Sequence, residues 1–152
     1  MQKIIYKKIL LLSGGADSML LLQRELKKEK PFDEIIFFDY GQKHYSDEKE
    51  VCKSYLTDEI KIIDIRCKDG FYESRNKIFI ENLRQKYIDD NICIYIGTNA
   101  DDKHKDNNKR YFYRLQWLLN ESHFSRIKIV TPLIKLTKKQ ILEELNTNYF
   151  TD

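Results

Sequence analysis

The stretch LLLSGGADSML, residues 10–20, changes character twice in eleven residues. An aliphatic run that reads as a strand stops at Ser13, Gly14 and Gly15 follow, and Asp17 and Ser18 then open a segment with Met19, Leu22 and Leu26 on one helical face. Apolar residues that run on without alternation suit a strand covered on both faces, as in a parallel sheet. At its end the chain gathers consecutive unhindered amides, two hydroxyls and a helix N-terminus around one point. That combination concentrates N–H donors and positive dipole on an anion, and phosphate is the natural guest. No Lys follows the glycines, so the stretch is not a GxxxxGK[ST] loop, and it is not GxGxxG either.

The rest of the chain repeats the strand-then-helix alternation. Strands are predicted at Lys8–Leu12, Glu34–Asp39, Ile60–Ile65, Ile92–Ile96 and Ile127–Val130. Helices are predicted at Asp17–Lys28, Asp47–Leu56, Lys77–Tyr87, Arg110–Leu119 and from Lys138 to about Leu145, the last with Thr137 and Gln140 at capping-box spacing. With no repeat or low-complexity linker, the expectation is one domain over residues 1–152, an α/β fold with a Rossmann-like, doubly wound, five-stranded parallel sheet and helices on both faces.

Bulk properties exclude more than they assign. A hydrophobic content of 41% in 152 residues supports a real core. The formal charge is only +3 with both signs interspersed, so composition gives nucleic-acid binding weak support. Cys52, Cys67 and Cys93 are far apart, with no CxxC pair, and a zinc site in this chain is not expected. No apolar stretch approaches eighteen residues and no leader pattern is present, so no membrane association and a cytoplasmic location are expected.

Of five glycines, Gly14, Gly15, Gly41 and Gly97 fall just past the carboxyl ends of three predicted strands, the edge where open parallel sheets bind ligands. Plain tight turns are the alternative at Gly41 and Gly97. SGGADS after a first strand resembles the pyrophosphate-binding loop (PP-loop) of the ATP pyrophosphatases, which cleave ATP to AMP and pyrophosphate while adenylating a substrate. FFDYGQKH (37–44), SRNKIF (74–79), IGTNADD (96–102) and TPLIKLTKKQI (131–141) resemble, in order and spacing, the 7-cyano-7-deazaguanine synthases of the queuosine pathway. The resemblance covers nearly the whole chain and implies an adenine nucleotide alpha hydrolase-like fold, ATP and Mg²⁺ as cofactors, and a ligase. Such an enzyme adenylates the carboxylate of 7-carboxy-7-deazaguanine and uses ammonia to reach the nitrile.

Roles follow from the resemblance residue by residue. Leu12, Ser13, Gly14, Gly15, Ala16, Asp17, Ser18 and Met19 would surround the ATP phosphates, with Asp17 catalytic and helping to hold Mg²⁺. Asp39, Tyr40, Gly41 and Gln42 would border the adenosine, Tyr40 by stacking. Arg75, the second catalytic candidate, would meet the substrate carboxylate or a phosphate, since its planar fork suits both. Asn76 would reach substrate or serve as an ordinary cap. Gly97, Thr98 and Asn99 would close the pocket wall, with Asp102 near substrate or ammonia. Lys135 and Lys138 would reach phosphate oxygens, or stay solvated. His44 is either a proton carrier or simply exposed; His104 and His123 receive no role.

The sequence leaves the synthase pattern in two places. After IGTNADD it has KHKDNNKRY (103–111) where the family carries a substrate loop with Gly, Pro and Cys, and no cysteine follows Cys93 where the family carries four zinc-binding ones. The chain is therefore expected to be a fragment, to be completed by a partner, or to be a compact relative. A small-molecule base and ammonia are the expected partners, with a homodimer as a further one. Two other functions compete: modification of a tRNA base, with the 103–110 segment against phosphates, and a nucleotide-binding subunit without turnover.

Overall fold

The computed structural model describes residues 3–12, 15–26, 32–40, 60–65 and 75–150, with side chains as far as 146. The predicted helix at Asp47–Leu56 and the residues Ser13, Gly14, Gly41, Gln42, His44, Cys52 and Cys67 lie outside these. Five strands and four helices are described: β1 (Lys7–Leu12), α1 (Ala16–Leu26), β2 (Glu34–Asp39), β3 (Lys61–Asp64), α2 (Arg75–Lys86), β4 (Ile92–Ile96), α3 (Lys109–Ser122), β5 (Ile127–Val130) and α4 (Lys138–Phe150). Each strand matches its predicted position within one residue at either end. Three helices differ more, α3 by running on from Leu119 to Ser122. α2 starts at Arg75 rather than Lys77, and α4 runs on past Leu145 to Phe150, since nothing from 138 to 150 is Gly or Pro to stop it.

All strand pairs are parallel, in the order β3-β2-β1-β4-β5. The chain builds outward from β1 through β2 to β3, then returns to lay β4 on the other side of β1. The β1/β4 junction is thus the switch point, outside whose carboxyl end such sheets open a crevice.

Alternation along the strands divides the core in two. Ile9 and Leu11 of β1, Ile36 and Phe38 of β2, and Ile92, Ile94 and Ile96 of β4 pack against Ile80 and Leu83 of α2 and Phe112, Leu115 and Leu119 of α3. Leu10, Leu12, Ile35 and Phe37 point the other way, onto Met19–Leu22 of α1 and Leu133 and Ile141. Two helices on each face make the sheet doubly wound, as the sequence predicts. Arg24 of α1 grips Glu144 of α4 through two hydrogen bonds, Nε at 3.0 Å and Nη2 at 2.6 Å. The expectation of strands covered on both faces fails at β3, where Lys61, Ile62 and Asp64 are exposed. Among the described residues β3 is one edge of the sheet, with a neighbour strand on one side only.

Among the described residues the buried charged side chains are Asp39, at the end of β2, and Arg84 and Glu25 within the scaffold. Arg84 of α2, fully buried, donates to the main-chain carbonyls of Tyr87, Ile88, Asp90, Ser125 and Arg126 at 2.6–3.4 Å, tying the end of α2 to the starts of β4 and β5. Burial lowers its pKa from the ordinary guanidinium value, and Asp90 pulls the other way. Glu25 of α1 is ion-paired with Lys8 of β1, whose ammonium also lies over the rings of Tyr95 (4.9 Å) and Phe32 (5.2 Å). Burial pushes the Cys93 thiol up, as expected of an inert core cysteine. Among the described residues no helix is long and apolar enough to cross a membrane.

Candidate nucleotide site

The site forms where α1 begins. Its first turn is closed by the main-chain bond from Met19 N to Gly15 O (3.1 Å), and the Ser18 hydroxyl, 2% exposed, donates to the same carbonyl at 3.2 Å. This start is pressed against the end of β4. A Cβ on Gly97 would lie 2.9 Å from Asp17 C, 2.9 Å from Ser18 N and 3.0 Å from Asp17 Cβ. Two backbones approach too closely there for any side chain, so Gly97 is the glycine whose place is fixed by space.

Asp17 is the charged centre of this contact. Its Oδ2 accepts from Asn99 Nδ2 at 2.7 Å, whereas Oδ1 is buried without a hydrogen-bond partner among the described residues and lies 3.9 Å from the Lys138 ammonium. Thr98, 3% exposed, likewise carries a buried Oγ1 with no partner among the described residues. Buried oxygens in that state cost free energy unless something meets them. They sit at the switch point, beside a helix N-terminus.

The loop from Gly97 to Asn108 fixes this geometry. Asn99 Oδ1 accepts from Asp101 N (2.9 Å), and Asp101 Oδ2 accepts from Lys138 N (2.8 Å), capping α4 from a distant part of the chain. Ala100 N donates to Leu136 O at 2.8 Å. The predicted capping box forms: Gln140 N donates to Thr137 Oγ1 (3.2 Å) and Thr137 N to Gln140 Oε1 (2.9 Å). Further along, Asn76 Nδ2 donates to Asp106 O (3.0 Å) and to Asn107 Oδ1, which fastens the start of α2. Asn108 caps α3 by accepting from Tyr111 N at 2.8 Å. One loop therefore contacts the N-termini of all four described helices, whose positive ends converge on the carboxyl edge.

The sequence-predicted residues fall into three groups. Leu12, Gly15, Ala16, Asp17, Ser18, Met19, Gly97, Thr98 and Asn99 come together around the β1/β4 junction, and Lys138 joins them through Asp17. Asp39 and Tyr40 end β2, one strand away. Tyr40 is joined there by Arg75, whose Nη1 donates to the Tyr40 hydroxyl (2.7 Å) and whose guanidinium lies 5.3 Å from the ring centroid, with Phe79 on the same ring at 5.7 Å. Asn76 and Asp102 make hydrogen bonds to the 97–108 loop. Asp102 Oδ1 accepts from His104 N (3.0 Å) and Oδ2 from Asn107 Nδ2 (2.6 Å). Lys135 is exposed on the turn before α4. Sequence reasoning missed Asp101, Asp106 and Asn107, although Asp and Asn are the residues that cap helices and brace turns. Among the described residues, no cluster of three or more His, Cys, Asp or Glu is placed to hold a metal ion.

A parallel sheet in this order, with a glycine-tight helix start and buried, unmet oxygens at its switch point, defines a Rossmann-like nucleotide-binding protein of the PP-loop kind. Residues 64–149 match the family described as queuosine biosynthesis protein QueC. The chain belongs to the QueC family. It is also 27% identical over 158 aligned positions to a tRNA(Ile)-lysidine synthase of Chlamydia muridarum, an alignment covering 94% of this chain and 49% of the relative. The chain thus spans about half the length of the curated relative it matches. Among solved structures it resembles a predicted subunit of tRNA methyltransferase from Methanocaldococcus jannaschii, with a TM-score of 0.64 at 22% identity over 93% of this chain and 75% of that one. That likeness speaks for the fold.

Proposed function

We propose that the chain is an ATP-dependent, AMP- and pyrophosphate-releasing ligase that acts on a 7-deazaguanine carboxylate, in the manner of a 7-cyano-7-deazaguanine synthase. The observation that carries this reading is the α1 start: Gly15, Ser18 and a helix N-terminus packed on Gly97 at the switch point, within a chain of the QueC family. The substrate carboxylate oxygen attacks the α-phosphorus and pyrophosphate departs. Ammonia then displaces AMP to give the amide, which a second adenylation and loss of AMP convert to the nitrile. Helix dipole and loop amides oppose the negative charge that builds on the departing pyrophosphate.

In this reading Leu12–Met19 receive the phosphates, and Asp39 and Tyr40, with Gly41 and Gln42, border the adenosine. Arg75, held against Tyr40, faces the carboxylate or the α-phosphate. The Lys138 ammonium stands ready to pass from Asp17 to a phosphate oxygen. A Mg²⁺ bound chiefly by phosphates needs one or two carboxylates, and the buried Oδ1 of Asp17 fits that need. The ion would neutralise phosphate charge.

The decisive experiment measures AMP and pyrophosphate release on adding 7-carboxy-7-deazaguanine, with and without ammonium. Release that depends on the base supports the reading; ATP binding without release under any of these conditions refutes it in favour of a nucleotide-binding subunit. A second reading, adenylation of a tRNA base, is favoured by the relative named as a tRNA(Ile)-lysidine synthase. It requires AMP release on adding tRNA in place of the free base.

A further inference from the structure

α4 is held at its start by a residue to which the sequence assigns no role. Lys138 is the first residue of that helix, and its main-chain N–H donates to Asp101 Oδ2 at 2.8 Å, from 37 positions away in the chain. Thr137 and Gln140 already complete the local capping box, so Asp101 brings a carboxylate that the box does not need. An exposed carboxylate gains only modestly from a helix dipole, which makes stability a weak reason for this reach.

The same residue fixes Asn99, which is buried. Asp101 N donates to Asn99 Oδ1 (2.9 Å), so the amide nitrogen of Asn99 faces the other way, where it donates to Asp17 Oδ2 (2.7 Å). With that amide reversed, its oxygen would face a carboxylate and its NH₂ an N–H, and both contacts would be repulsive. The other oxygen of Asp17 lies 3.9 Å from the Lys138 ammonium. Asp17, Asn99, Asp101 and Lys138 thus close a ring in which Asp101 holds both partners of Asp17, one by its amide and the other by its carboxylate.

We infer that Asp101 is a positioning residue for the nucleotide: it sets Lys138 and Asn99 about Asp17, so that ammonium and carboxylate meet ATP in a fixed geometry. A lysine side chain has several rotatable bonds, and anchoring the backbone that carries it removes part of that freedom before ATP arrives. Asp101 itself touches no phosphate in this scheme and acts through its two neighbours. The inference rests on the reading of Asp17 and Lys138 as phosphate-side groups, and not on which base is adenylated.

Charge and position predict opposite signs. Asp101 is an anion beside a site for an anion, so by charge alone its removal would tighten ATP binding, whereas loss of positioning weakens it. Calorimetric titration with ATP and Mg²⁺ should find affinity reduced about 10-fold in Asp101→Ala, a size in keeping with residues coupled in one network. Asp101→Asn, whose side-chain oxygen can still accept from Lys138 N, should bind ATP as well as the unaltered chain or better. In a Lys138→Ala background Asp101→Ala should have little further effect. Asp101 is exposed, and the urea midpoint of each variant checks that the fold survives. ATP affinity unchanged or tighter in Asp101→Ala overturns the inference and leaves the nucleotide site standing. So does an Asn variant as weak as the Ala one, or a loss as large without the Lys138 side chain as with it. An unaltered chain that binds no ATP refutes the nucleotide reading itself, and the inference with it.

Discussion

The two ends of the sheet treat buried charge in opposite ways. At the amino end, Arg84 gives its two terminal nitrogens to five main-chain carbonyls, and the guanidinium serves the scaffold. At the carboxyl end, Asp17 has one oxygen held by Asn99 and the other buried without a hydrogen-bond partner among the described residues, 3.9 Å from a lysine that is itself largely exposed. Arg84 keeps one nitrogen, Nε, buried without a partner among the described residues but spends the other two on five carbonyls, which stabilises the scaffold; the unmet oxygen of Asp17 instead raises the free energy of the site and lowers the cost of admitting a ligand. Substitution should therefore separate the two ends: stability lost at one, activity at the other.

Replacing Arg84 with Leu tests the amino end and should have the largest effect. Five carbonyls lose their donor, and stability should fall by about 3 kcal/mol in urea unfolding; a loss below about 0.5 kcal/mol would mean that water replaces the guanidinium at little cost. Next comes Asp17→Asn, expected to cut AMP release by at least about 100-fold while leaving the urea midpoint nearly unchanged. Turnover close to that of the unaltered chain would remove Asp17 from the phosphate and metal chemistry.

Gly97→Ala joins the two ends of the comparison. The added methyl meets the backbone of Asp17 and Ser18 at 2.9 Å, so α1 must shift; about 2 kcal/mol of destabilisation and weaker ATP binding are expected together. Calorimetry that finds ATP affinity intact would show that the helix start can move without harm to the site. The smallest effect belongs to Thr137→Ala, which breaks the capping box of α4 and should cost about 1 kcal/mol. Because Lys138 is the first residue of α4, a modest rise in KM for ATP should accompany it, readable in the same nucleotide assay.

Most of the architecture was legible in the sequence because two signals coincide at each strand: a short apolar run and a glycine or polar break after it. Where one signal was missing, the reading slipped. β3 looks as apolar as its neighbours in Ile62, Ile63 and Ile65, yet edge placement exposes Ile62, and no local pattern encodes which strand ends at the edge. At the site, the residues around the β1/β4 junction were readable from glycine placement and from resemblance. Asp102 was read toward substrate or ammonia and Asn76 toward substrate or a cap; their hydrogen bonds in the structure go to the 97–108 loop. The braces Asp101 and Asp106 were missed because a side chain thirty or more residues from its partner leaves no spacing to find.

The sequence by itself determined the alternation of strand and helix, from which the doubly wound class follows, the Thr137–Gln140 capping box of α4 and the helix start that suits phosphate, because each of these signals is local. Only the tertiary structure decided that β4 lies beside β1, that Gly97 admits no side chain, that Asp17 sits between Asn99 and Lys138, and that the aromatic face of α3 is left outside. Those depend on which segments meet in space. Burial energy settles that for the whole chain at once, not within any one stretch of it.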